Sequence, residues 1–148
     1  MRKIASILLI AAAAVFVFNS CQPYEEGPSI SLLSKTTRLV GDWTIDTWLA
    51  NDTEQDISST QPRMSFVKDG SGSMTINVFN FAVTVDLEWE FVGDDGIRYR
   101  VKNQNDAWED WTEYTILRLS NDELFIERTY LPEGSEANVT ERIELSKN

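Results

Sequence analysis

Beyond residue 40 apolar and polar positions alternate with a period of two, and each alternating run closes in turn chemistry: Asp69-Gly70-Ser71-Gly72, Gly93-Asp94-Asp95-Gly96, Asn121-Asp122 and Pro132-Glu133-Gly134. The pattern predicts eight strands, at about 42–50, 62–68, 72–79, 82–92, 96–103, 111–119, 123–130 and 138–145. Their registers follow from the side chains, because residues directly opposed on one face of an antiparallel pair must suit each other. Setting Phe91, Trp89 and Leu87 against Ile97, Tyr99 and Val101 brings Glu90, Glu88 and Asp86 against Arg98, Arg100 and Lys102 on the other face. The last two strands match as well: Leu124 meets Leu145, Ile126 meets Ile143, Arg128 meets Glu141, Glu127 meets Arg142 and Thr129 meets Thr140. The third and fourth are expected to oppose Val78 to Val83, Ile76 to Val85 and Met74 to Leu87, and the second and third Met64 to Ile76 and Phe66 to Met74.

A meander of this kind leaves two exposed edges unless its first strand pairs with its last. The expected fold is therefore all-β, an eight-stranded antiparallel up-and-down barrel preceded by one short helix. That helix is placed between Pro28 and Val40, with Ser29 as N-cap, Ile30 and Leu33 on one side and Gly41 as the stop. Inside the barrel the parity puts Trp43, Ile45, Phe66, Ile76, Val85, Leu87, Trp89, Tyr99, Val101, Leu117, Ile126 and Ile143. Trp48 has the opposite parity to Trp43, Ile45 and Leu49 and is expected to face outward.

The chain begins differently. Arg2 and Lys3 precede residues 4–18, which are apolar apart from Ser6, and Asn19 and Ser20 then lead to Cys21. The apolar run is shorter than the roughly 20 residues a spanning helix needs, and reads as a secretory leader. Ser20-Cys21 at its end resembles a bacterial lipobox, with Cys21 as the lipidated first residue of the mature protein. A lone thiol in an oxidising compartment is otherwise a liability. The expected organisation is a lipoprotein signal peptide at 1–20, an acylated cysteine and tether at 21–35, and the barrel domain at 36–148. Gln22 after the cysteine favours outer-membrane sorting, on the periplasmic or the surface face, by analogy.

Charge and composition then remove classes of function. With 13 Lys and Arg against 24 Asp and Glu the formal net charge is −11, and loss of Arg2 and Lys3 with the leader makes it more negative. Such a surface repels phosphate backbones, so nucleic acid is not an expected partner. No histidine and one cysteine leave no Ser/His/Asp or Cys/His machinery and no His-ligated metal, and no cofactor is expected. Acids interleave with aromatics around Trp108, Trp111 and Tyr114, but Asp106, Glu109, Asp110 and Glu113 lack the spacing of a calcium loop and read as a solvated edge. A glycosidase needs two facing inward carboxylates. Parity turns Glu88, Glu90, Glu127 and Glu144 outward, leaving Glu141 and Glu113 as inward candidates, so an enzyme is not expected.

Leu39, Gly41 and Trp43 resemble the G-x-W opening of the first lipocalin strand. Phe66, Asp69-Gly70, Trp89, Tyr114, Ile116, Leu119 and Leu124 follow in an order similar to lipocalin-like domains in lipoproteins of Bacteroidota. The resemblance covers roughly residues 36–146. It implies a structural role for Trp43 with an arginine packed over its ring. Of Arg128 and Arg142, the inward parity of Arg128 favours that residue. It also implies a non-enzymatic, monomeric protein held to the membrane by a lipid anchor. Two functions stay open. The barrel binds a small apolar molecule, with Trp89, Tyr99, Trp108, Trp111 and Tyr114 offering rings at its mouth, or it is plugged and meets an envelope protein or a glycan. Inward Phe66, Trp89, Phe91 and Tyr99 favour a filled interior, and an outward Trp48 favours the interaction module. Arg128 and Glu141 are expected to pair and to plug the barrel end at Trp43.

Overall fold

The computed structural model describes Tyr24, residues 32–79 and residues 81–148. The leader, Cys21, Ser29, Ile30 and most of the tether lie outside the described residues. One helix, α1 (Lys35–Leu39), precedes nine strands: β1 (Gly41–Ala50), β2 (Thr53–Glu54), β3 (Arg63–Phe66), β4 (Ser71–Val78), β5 (Phe81–Val92), β6 (Gly96–Val101), β7 (Thr112–Leu119), β8 (Glu123–Tyr130) and β9 (Val139–Lys147). Each strand pairs antiparallel with its successor in the meander, and β1 also pairs with β9, which closes an eight-stranded barrel. The two-residue β2 folds back on the end of β1 and is an addition to the expected set.

The β5–β6 and β8–β9 registers are those that the side chains demand. The β3–β4 and β4–β5 registers differ from expectation by two residues: Met64 opposes Met74, Phe66 opposes Gly72, Met74 opposes Val85, Ile76 opposes Val83 and Val78 opposes Phe81. A two-residue slip keeps every side chain on its own face, so alternation cannot distinguish the alternatives. Local geometry does. A Cβ on Gly72 would lie 2.1 Å from the Ser65 carbonyl oxygen, so the closest approach of β3 to β4 must coincide with the glycine. The Thr75 and Thr84 hydroxyls meet across the pair at 2.8 Å.

α1 starts at Ser34, whose hydroxyl accepts from the Thr37 N–H at 3.1 Å, rather than at Ser29. Gly41, at φ +137°, lets the chain turn directly from the helix into β1. Trp43, Leu39, Phe66, Leu119, Leu124 and Leu145 are fully buried and fill the end of the barrel that α1 covers. Beneath α1, Arg38 donates to the Leu119 carbonyl at 2.5 Å and lies 5.7 Å over the ring of Tyr24, which is 2% exposed and part of the core. The opposite end is less filled. Ile76, Val85, Tyr99 and Val101 are only partly buried there, and Val78, Phe79, Phe81 and Val83 of the β4–β5 hairpin are exposed. Leu117 is buried at a β-bulge between Ile116 and Arg118, outside the continuous core cluster.

Candidate functional site

β1 carries the decisive irregularity. Its register against β9 shifts between Ile45 and Thr47, a bulge that resets the parity and turns Trp48 inward, opposite Ile143, while Leu49 opposes Arg142. Trp48 is therefore not an outward tryptophan. It packs against the core and, with Ala50, Gln55, Ile57, Tyr130, Val139 and Glu141, lines a groove of about 360 Å³ at the uncovered end, the mouth of the barrel. A wider cleft of about 580 Å³ beside the hairpin is lined by Ser58, Thr60, Gln61, Asn77 and Phe79, without an ionisable group or a buried wall. The mouth groove has a buried carboxylate, Glu141, beside the half-buried Trp48, Ile57 and Val139.

Glu141, the ionisable residue of its lining, belongs to a polar network inside the barrel. Glu141 is 5% exposed. Its Oε2 accepts from Arg128 Nε in an ion pair and from the Tyr114 hydroxyl at 2.9 Å. The Tyr114 ring stacks on Tyr99 with centroids 5.6 Å apart and planes within 6°, and their hydroxyls meet at 3.4 Å. The Arg128 guanidinium lies 5.1 Å from the Tyr114 centroid and 4.2 Å from that of Tyr130. Strand direction explains the convergence. β8 rises to the mouth and β9 descends from it, so the last inward positions of one face the first inward positions of the other.

This placement corrects the expectation for Arg128. It is not over Trp43 and does not plug that end. Ala50, at the far end of β1 from Trp43, is the residue opposite Glu141. The cation over Trp43 is Lys147, with Nζ 4.9 Å from the ring centroid, and Arg142 lies over Phe125. Lys147 also donates to the Arg38 and Val40 carbonyls, and burial pushes its pKa down.

The five aromatics expected at a mouth separate. Tyr99 and Tyr114 belong to the network. Trp89 lies deeper, with edge contacts to Phe66 and Phe91 and its Nε1–H shared between the Val67 and Ser71 carbonyls at 3.0 Å, so it fastens the β3–β4 turn. Trp108 and Trp111 are outside the barrel. Arg100 sits 5.0 Å and 4.7 Å from their rings, Arg98 covers Trp111, Lys102 covers Trp108, and Glu90, Glu88 and Asp86 pair with the same cations. Glu113 also faces outward, opposite Arg98. What the sequence reading missed is the wall of Trp48, Ile57, Tyr130 and Val139. The broken parity between Ile45 and Trp48 is the signal that points to it.

No protein-family model matches the chain, and no curated protein matches it in sequence. Among solved structures, crystal structures of LTBP1 with leukotriene C4 superpose with a TM-score of 0.52 at 12% identity, over 79% of this chain and 71% of the other. The fold is a lipocalin-like barrel. A complex of bovine odorant-binding protein with a selenium-containing odorant matches with a TM-score of 0.46 at 14% identity, over 80% of this chain and 76% of that one.

Burial pushes the pKa values of Tyr99, Tyr114 and Tyr24 above that of free tyrosine. These residues keep their protons in the folded state while the unfolded chain loses its own from about pH 10. The folded state then binds more protons, so stability should fall as pH rises past about 10. In an alkaline titration the tyrosinate absorbance of these residues should appear together with the loss of near-ultraviolet circular dichroism. Their ionisation in a protein whose dichroism is intact would contradict the burial.

Proposed function

We propose that the protein is a non-enzymatic binding protein, anchored to the outer membrane through acylated Cys21, whose barrel mouth takes up a small, mostly apolar molecule carrying one polar group. The observation that carries this reading is the combination at the mouth of an apolar wall, Trp48, Ile57, Tyr130 and Val139, with the Glu141 carboxylate, itself held by Arg128 and Tyr114. Apolar walls supply the affinity for such ligands and a few fixed polar groups supply orientation. Glu141 offers an acceptor to the groove, which suits a ligand hydroxyl rather than a free anion on so acidic a chain. LTBP1, which shares the fold, is seen in complex with leukotriene C4. Catalysis is not supported, since Glu141 is engaged by a cation and a hydroxyl and Glu113 faces solvent. The interaction-module alternative loses the outward Trp48 that favoured it.

Tyr24 adds an orientation. It is buried under α1, three residues after Cys21, and three residues reach at most about 10 Å. An anchor at Cys21 would hold the covered end against the bilayer and leave the mouth facing away. One preparation tests the proposal: protein purified in detergent from its native host and examined by native mass spectrometry. The expected masses are those of a chain acylated at Cys21 plus a small ligand, with the ligand lost in Trp48→Ala. An unacylated chain removes the anchor, and an empty barrel that also fails to quench Trp48 fluorescence with apolar alcohols removes the binding function.

A further inference from the structure

The β4–β5 hairpin runs past the strands that flank it. β3 reaches only Arg63, opposite Thr75, and β6 ends at Val101, opposite Leu87. On the β4 side the excess backbone is covered, since the Asn77 N–H donates to the Thr60 carbonyl at 2.7 Å. On the β5 side it is bare. The Trp89 N–H donates to Gly70 and the Asp86 carbonyl accepts from Lys102, so odd-numbered residues of β5 address β4 and even-numbered ones address β6. β6 has ended before it reaches Thr84 and Ala82, and among the described residues their backbone N–H and C=O groups have no partner.

This edge carries none of the usual protection. From Ser71 through Val85 the sequence holds no charge and no proline, in a chain of net charge −11. Phe79 is 91% and Phe81 74% exposed. The unmet backbone groups decide what covers the edge. A bilayer would leave those donors and acceptors unsatisfied, and a ligand inside the barrel meets side chains rather than the edge. Another strand satisfies them.

We infer that two copies of the chain pair edge to edge through Phe81–Val85, continuing one antiparallel sheet across a two-fold axis at Val83. The segment is self-complementary in this register. Ala82 of each copy exchanges both backbone hydrogen bonds with Thr84 of the other, Val83 meets Val83, and Phe81 meets Val85 on a single apolar face. It is also a neutral strip on which two strongly acidic molecules approach without like charges opposed. The monomer expected from the sequence becomes the low-concentration state.

The test is sedimentation of the full chain in detergent over a range of concentrations. A dimer is expected, weakened about tenfold or more by Thr84→Pro, which removes the edge N–H and leaves the backbone bonds to β4 in place, and little changed by Thr84→Val, which loses the same hydroxyl contact to Thr75. Folding of each variant is checked by tryptophan fluorescence. Independently, Val83→Cys should give a disulfide dimer under mild oxidation, while Val67→Cys, on another exposed surface, and the parent with Cys21 alone should not. A chain monomeric at every concentration, a dimer indifferent to Thr84→Pro, or equal cross-linking at positions 67 and 83 overturns the inference. So does a monomer that floats with phosphatidylcholine vesicles in a Phe79-dependent way, which would make the hairpin tip a lipid contact.

Discussion

Replacing Arg128 by methionine is expected to lower the unfolding free energy by about 3–5 kcal/mol, because it strands a buried carboxylate. The Glu141 side chain is 6% exposed, and without Arg128 it keeps only the Tyr114 hydroxyl. The reverse change is milder. Glu141→Gln retains an acceptor for Tyr114, and Arg128, 27% exposed, can turn its guanidinium toward the open mouth, so the cost is about 1–2 kcal/mol. Replacing the pair together, as Arg128→Met with Glu141→Leu, should recover most of the loss, since an apolar pair of similar volume leaves no charge buried. Urea unfolding of the three variants measures all of this. A larger loss for Glu141→Gln than for Arg128→Met would contradict the network.

Trp43→Ala should cost about 3–5 kcal/mol as well, for a different reason. The ring is fully buried among Leu39, Met64 and Leu145, its Nε1–H donates to the Leu39 carbonyl at 2.7 Å, and Lys147 lies over its face. One side chain thus joins the end of α1 to β1 and β9. Trp43→Phe keeps most of the apolar volume and loses the hydrogen bond, so about 1–2 kcal/mol is expected. In that variant amide exchange within Lys35–Leu39 should accelerate before exchange in the strands does, because a five-residue helix has little stability of its own. Uniform acceleration across the barrel would show that Trp43 acts on the core alone and does not fasten the helix.

Pattern and pairing made most of the architecture legible. Glu90, Glu88 and Asp86 against Arg98, Arg100 and Lys102, behind Phe91, Trp89 and Leu87 against Ile97, Tyr99 and Val101, admit one alignment of β5 and β6. Leu124 to Thr129 against Leu145 to Thr140 does the same for β8 and β9. The β4 segment has no charge to match, so there a shift by two residues costs nothing at the level of pattern and was misread. The candidate site was legible only in part. The register placed Arg128 beside Glu141 and parity turned Tyr99 inward, but the parity that put Leu117 and Glu113 inside was the wrong one for Tyr114, which is buried while Glu113 is exposed. The groove itself was not readable, because a single bulged residue in β1 reverses the face of Trp48, and because Trp108 and Trp111 lie on cations of β6 that belong to a different stretch of chain.

Sequence alone determined the strands, the closure of β1 on β9, and the charge that keeps nucleic acid away, since alternation and charge pairing are local and additive along the chain. Tertiary structure decided which end of the barrel is covered, which cation lies over Trp43, and that Trp48 faces the groove. Each of these depends on a length or an angle accumulated over several strands: where β3 and β6 stop, how far a bulge turns β1, and where Lys147 ends relative to α1. Such sums are set by three-dimensional closure, to which the period of the pattern is blind.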